Sequence, residues 1–268
     1  MSLRIQNNVE AFNAHRNLVG TSGKLAKSME RLSSGYRINR AADDAAGLAI
    51  SEKLRGQIGG LAQAERNASD AVSLVQTAEG SLTEIHAMLQ RVRELAVQYK
   101  NGSLSTADRA AIQSEVNQLG SEIERIGVSS DFNGTQLLSS ASTISFQVGS
   151  DDGELITVST ISLGGTLGTT FHQLSAAGAT DISEIDVAID KVSAQRATFG
   201  AVQNRLEYTL NNLATYRENL VSSESRIRDV DMASEMVNFT KLQILQQAGT
   251  SMLAQANQSS QSVLSLLR

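Results

Sequence analysis

The sequence predicts a mainly α fold: a long antiparallel helical rod of coiled-coil character with a small β-hairpin, its terminal helices paired as a second coiled coil. Three observations lead there. The 268 residues include no Pro, the residue that removes a helix hydrogen bond and clashes with the preceding turn. Apolar residues recur in alternating steps of three and four through the long segments, which places them in narrow helical stripes. No Trp, four Tyr and six Phe leave little bulk for a wide core, whereas thin seams of Leu, Ile, Val, Ala and Met are easily built.

Taken in order, residues 3–33 form the first helix, with Ala11, Leu18, Leu25 and Leu32 repeating at seven and Val9, Phe12 and Met29 beside them. Ser33-Ser34-Gly35 interrupts it. The charged stretch 34–46 lacks a period and is expected as an extended connector with one helical turn. A rod then spans 47–221. Its first helix runs to Lys100 with two adjoining stripes. Leu54, Ile58, Leu61, Ala68, Val72, Val75, Leu82 and Leu89 make one; Leu74, Ala78, Ile85, Met88, Val92, Leu95 and Tyr99 make the other. Gly59-Gly60 is its weak point, and Asn101-Gly102 ends it.

A third helix starts near Ser105, where Ser105 and Asp108 have capping spacing, and carries Ile112, Val116, Leu119, Ile123 and Ile126. The short link makes it an antiparallel neighbour of the helix before it. At about 141–160 the period changes to two. Ile144, Phe146 and Val148, then Ile156 and Val158, flank the turn Ser150-Asp151-Asp152-Gly153 as a hairpin. The Gly-, Ser- and Thr-rich residues 161–180 are expected as a surface loop.

A fourth long helix begins with the Asp181/Glu184 capping pair. Its seam runs from Ile185 through Val192, Phe199, Leu206 and Leu213 to Leu220, with gaps at Arg196, Gln203 and Arg217. Residues 222–230 are expected as a second connector. The last helix, 231–268, carries Leu242, Leu245, Gly249, Met252, Ala256, Ser259, Val263 and Leu266 in one seam. A seam this narrow needs a partner, and residues 3–33 supply one. Residues 1–33 and 231–268 thus form an inner pair, joined by connectors 34–46 and 222–230 to the rod.

Composition excludes several function classes. With no Cys there are no disulfides and no Cys-based metal sites. A net charge of −5 and a pI near 5.3 oppose a nucleic-acid backbone as partner. No apolar run is long enough for a membrane span, and the N-terminus lacks the pattern of a cleaved signal peptide. His15, His86 and His172 stand alone, without ligand spacing. Gly164-Gly165 and Gly168 lack the Lys and helix of a phosphate loop. Asp43 and Asp44 are expected to pair with Arg37, Arg40 or arginines on adjacent elements. No constellation supports catalysis, and no cofactor is expected.

Residues 32–51, LSSGYRINRAADDAAGLAIS, resemble the N-terminal signature of bacterial flagellins. LQRVRELAVQ (89–98), QRATFGAVQNRLE (195–207), SRIRDVDMASE (225–235) and QILQQAGTSMLAQANQ (243–258) are similar to matching flagellin segments, in the same order. The resemblance covers nearly the whole chain and corresponds to a minimal, inner-domain form. It implies a subunit that polymerises with itself into the helical flagellar filament, for swimming motility, outside the cell. Implied partners are an export chaperone, the type III export apparatus, and the hook–filament junction and cap proteins.

Leu18, Leu25, Leu32, Leu242, Leu245, Met252, Val263 and Leu266 would then serve subunit packing. Arg91, Leu95 and Glu115 match a surface read by Toll-like receptors, and Leu264, Leu266 and Leu267 match a segment read by cytosolic flagellin receptors and by the chaperone. A hook–filament junction protein and a secreted helical adhesin are the alternative readings.

Overall fold

The computed structural model describes residues 8–167, 174 and 181–266; the side chains of 166, 167 and 259–266 fall outside it. Helices dominate: α1 (Val9–Ser34), α2 (Ala45–Tyr99), α3 (Thr106–Ser129), α4 (Leu163–Leu167), α5 (Asp181–Arg228) and α6 (Met232–Leu266). Two antiparallel hairpins follow α3: β1 (Asp131–Phe132) with β2 (Thr135–Gln136), and β3 (Thr143–Gln147) with β4 (Leu155–Ser159). The chain divides into two units, residues 57–218 and residues 1–56 with 219–268. Both α2 and α5 contribute to each.

Residues 57–218 contain the buried core. Its larger cluster joins Leu82, Ile85 and Leu89 of α2 to Ile123 of α3, Ile156 and Val158 of β4, and Val192, Phe199 and Leu206 of α5. A second cluster gathers Val92 and Leu95 of α2, Ile112 and Val116 of α3, and Ile185 of α5. Both α2 stripes meet in the larger cluster, Leu82 and Leu89 coming from one and Ile85 from the other. Few large rings are needed, because Ala68, Ala71 and Ala78 are fully buried and let elements approach closely.

Helix α2 runs through Gly59-Gly60 without a break. A Cβ at Gly60 would lie 3.2 Å from Ser150 Cβ, so the glycine admits the β3–β4 turn rather than weakening the helix at random. Helix α3 begins with a complete capping box: Asp108 N–H donates to Ser105 Oγ, and Ser105 N–H to Asp108 Oδ2.

The β3–β4 pairing sets Phe146 opposite Ile156 and Ile144 opposite Val158. Ile156 and Val158 point inward, and Leu155 and Thr157 outward. The β1–β2 hairpin turns on Asn133 (φ 52°) and Gly134 (φ 78°). Asn-Gly suits this two-residue turn because both positions need positive φ.

Two further segments differ from expectation. Residues 222–228, expected within a connector, continue α5. Nothing in Ser222-Ser223-Glu224-Ser225-Arg226-Ile227-Arg228 breaks a helix, and Arg228 is anchored through Glu52. Within the expected 161–180 loop, Leu163–Leu167 is helical and Leu163 is buried in the core. Residues 168–173 and 175–180 lie outside the described residues, and Asp181 and Glu184, expected as a capping pair, both stand in the first turn of α5.

Candidate self-assembly surface

Helices α1 and α6 pack antiparallel. Asn8 Nδ2 donates to Ala256 O at 2.9 Å, a Cβ at Gly249 would meet Leu18 Cδ1 at 3.3 Å, and Arg31 pairs with Glu235 at 3.7 Å. The inward side of α1 carries Ala11, Ala14, Leu18, Thr21, Leu25 and Ser28, in steps of three and four. Facing it, α6 turns in Glu235, Phe239, Leu242, Gln246, Gly249, Leu253 and Ala256. The small residues at Ala11, Ala14, Gly249 and Ala256 permit the close approach.

The phase of α6 therefore differs from the one its spacing suggested. Leu242, Gly249 and Ala256 face α1, but Leu245 (46% exposed) and Met252 (65%) do not. They join Met236, Val237 and Ile244 on an open apolar face, while Val9, Phe12, Val19 and Met29 are exposed on α1. Met236, Val237, Thr240, Lys241, Ile244 and Leu245 line an open groove of about 520 Å³. Leu18, Leu25 and Leu32 are half-buried. The side chains of Val263 and Leu266, and all of Leu267, lie outside the described residues.

The connector is tied to the end of α5. Arg37 N–H donates to Arg228 O at 2.7 Å, Arg37 Nη2 to Ile227 O, and Val230 N–H to Gly35 O. Arg228 stacks over the Tyr36 ring at 4.8 Å and donates to Glu52 Oε1 at 2.7 Å. Asp44 caps α2 by accepting from Gly47 N–H.

Asp43 takes Lys27 as its partner, at 2.6 Å, rather than an arginine. Arg40 turns instead to Glu30 at 2.9 Å. The Lys27 hydrogen bond, helped by the Arg40 and Asn39 N–H groups and opposed by burial, holds the Asp43 carboxyl down at about 2.

Arg91 lies on α2 and donates to Glu115 Oε1 of α3 through Nε (3.1 Å) and Nη2 (3.0 Å), and also pairs with Glu94. These bonds, Glu115 first, raise the Arg91 pKa. Both residues are exposed, but Leu95 is only 2% exposed and belongs to the core. It can support that surface from below and is not itself presented. His15 is exposed, His86 is half-buried with Nε2 near Gln90, and His172 falls outside the described residues. Among the described residues no group of His, Asp and Glu could hold a metal. No described helix is long and apolar enough to cross a membrane.

The family profile described as "Bacterial flagellin N-terminal helical region" matches residues 5–143, and "Bacterial flagellin C-terminal helical region" matches residues 182–267. Together these cover most of the chain. The chain belongs to the bacterial flagellin family. It is 51% identical over 272 residues to a flagellin of Halalkalibacterium halodurans, covering 98% of this chain and 99% of that one. Against the flagellar filament 33 kDa core protein of Treponema phagedenis the identity is 46% over 289 residues, with 98% and 99% covered. The crystal structure of Bacillus cereus flagellin superposes with a TM-score of 0.51 at 35% identity, covering 55% of this chain and 88% of that one.

The chain is thus a flagellin-family structural subunit of the flagellar filament. The α1–α6 pair buries one face of each helix and leaves apolar residues exposed on the others.

Proposed function

We propose that this flagellin polymerises by burying the open apolar faces of α1 and α6 against further copies of itself, forming an extracellular filament that serves swimming motility. The observation that carries the reading is the exposure of Phe12, Val19, Val237, Ile244 and Met252 on helices whose facing sides are already paired. Exposed apolar patches of this kind mark association sites. A contact joining different faces of successive copies generates an open helical polymer rather than a closed ring. The chain acts by assembly and not by catalysis. Export through the flagellar type III apparatus with its chaperone, and growth between the hook–filament junction and the cap proteins, complete the reading.

Seeded polymerisation followed by sedimentation and electron microscopy tests it. The full chain should pellet as filaments, and a chain lacking residues 235–268 should stay soluble while residues 57–218 remain helical. Filaments from the truncated chain would overturn the role given to α6. A second reading rests on the exposed Arg91–Glu115 pair, proposed as part of a surface read by Toll-like receptors. Arg91→Ala should weaken receptor signalling, and unchanged signalling would remove that assignment.

A further inference from the structure

The seams of α2 and α5 repeat every seven residues, so sliding one helix by a heptad would bring apolar positions back into phase. Apolar matching alone leaves the register open. Both seams are interrupted by charges, however, and the interruptions meet. Glu65 and Glu79 fill gaps in the α2 stripe, and Arg217 and Arg196 fill gaps in the α5 stripe. Arg217 Nη1 lies 3.2 Å from Glu65 Oε2, and Arg196 Nη2 lies 3.8 Å from Glu79 Oε1. Arg93, also in the α2 stripe, donates to Asp186 Oδ1 at 2.6 Å.

We propose that these three pairs set the register of α2 against α5. A one-heptad slip moves every charge about 10 Å along the axis. It would bring Leu210 or Glu224 to the place of Arg217, and Ile189 or Gln203 to that of Arg196. Ala179 or Ser193 would replace Asp186. In neither direction does any of the three α2 charges meet an opposite one, and one direction sets Glu65 against Glu224. All six side chains are partly exposed, so the pairs contribute little to stability. Their role is discrimination, as polar seam positions commonly fix register. Residues 160–180, between β4 and α5, are too many to fix it through a tight turn.

The full chain has no Cys, so spin labels can be placed at Asp70→Cys and Ala197→Cys alone, both exposed and set at different levels. Pulsed electron resonance should give one distance. Neutralising all six charges (E65Q, E79Q, R93Q, D186N, R196Q, R217Q) should add a population displaced by up to about 10 Å. A single native distance in that variant would overturn the proposal. It would assign register to the hairpin, through Asn67 to Gln147 O and Gln195 to Ser159 O, or to the Arg228–Glu52 pair. If the neutral chain does not fold, reversal of the three α2 charges should disturb the native distance, and reversal of the three α5 charges as well should restore it. A fully exchanged chain that does not regain that distance equally refutes the idea.

Discussion

Val237, Ile244 and Met252 are 69%, 61% and 65% exposed on α6. Replacing all three by Ser should weaken assembly without unfolding the subunit. Complete burial of a side chain of this size is worth about 1.5–3 kcal/mol. With roughly two thirds of each still exposed, each stands to gain about 1–2 kcal/mol on assembly. The triple variant therefore forfeits about 3–6 kcal/mol per subunit added, or two to four orders of magnitude in critical concentration at about 1.4 kcal/mol per decade. Sedimentation of seeded samples over a concentration series measures this directly. Circular dichroism of the monomer should stay unchanged, since none of the three faces α1. A critical concentration within about threefold of the wild type would refute the assembly surface. A loss of monomer helicity would show that these side chains are needed within the chain.

Other perturbations probe the interior and the connector. Phe199 is fully buried in the larger core cluster, so Phe199→Ala should cost about 3–5 kcal/mol in urea unfolding; a loss below about 1 kcal/mol would contradict its central place. Ser105→Ala removes half of a capping box and should cost about 1 kcal/mol, read from the same curves. The carboxyl of Asp43 is held at about 2, below its ordinary 3.8. Its contribution is thus present above about pH 4 and is lost as pH falls through about 2. The stability difference between wild type and Asp43→Asn should be flat at neutral pH and close only in strong acid; a difference that closed near pH 5 would discount the Lys27 pairing.

Much of this was visible in the spacing. The α2 stripes, the α3 and α5 seams and the β3–β4 hairpin each rest on one-sided burial, which leaves a period in the sequence, and the Ser105 cap shows in its spacing to Asp108. The phase of α6 was not visible, for a physical reason. Phe239, Leu242, Leu245, Ile244, Met252 and Leu253 spread apolar surface over more than one face, so period alone cannot say which face meets α1. Residues 222–228 looked like a link because Ser is a weak helix former, and the contact of Arg228 with Glu52 and Tyr36 outweighs that preference. Lys27 as the partner of Asp43 depended on how α1 returns over the connector, which no local pattern encodes. The short Asn133-Gly134 turn did carry a signal, and alternation over only two residues on each side hid it.

The open face also has a chemical liability. Met29, Met232, Met236 and Met252, four of the six methionines, are exposed on the terminal helices or beside them. Oxidation turns a thioether into a polar sulfoxide. A free subunit met by peroxide would therefore lose the adhesiveness of this face before its fold is touched, and damaged chains would be left out of the polymer. Once enclosed by neighbouring copies, the same sulfurs would be shielded. Assembly would then protect the very side chains that oxidation could use to prevent it.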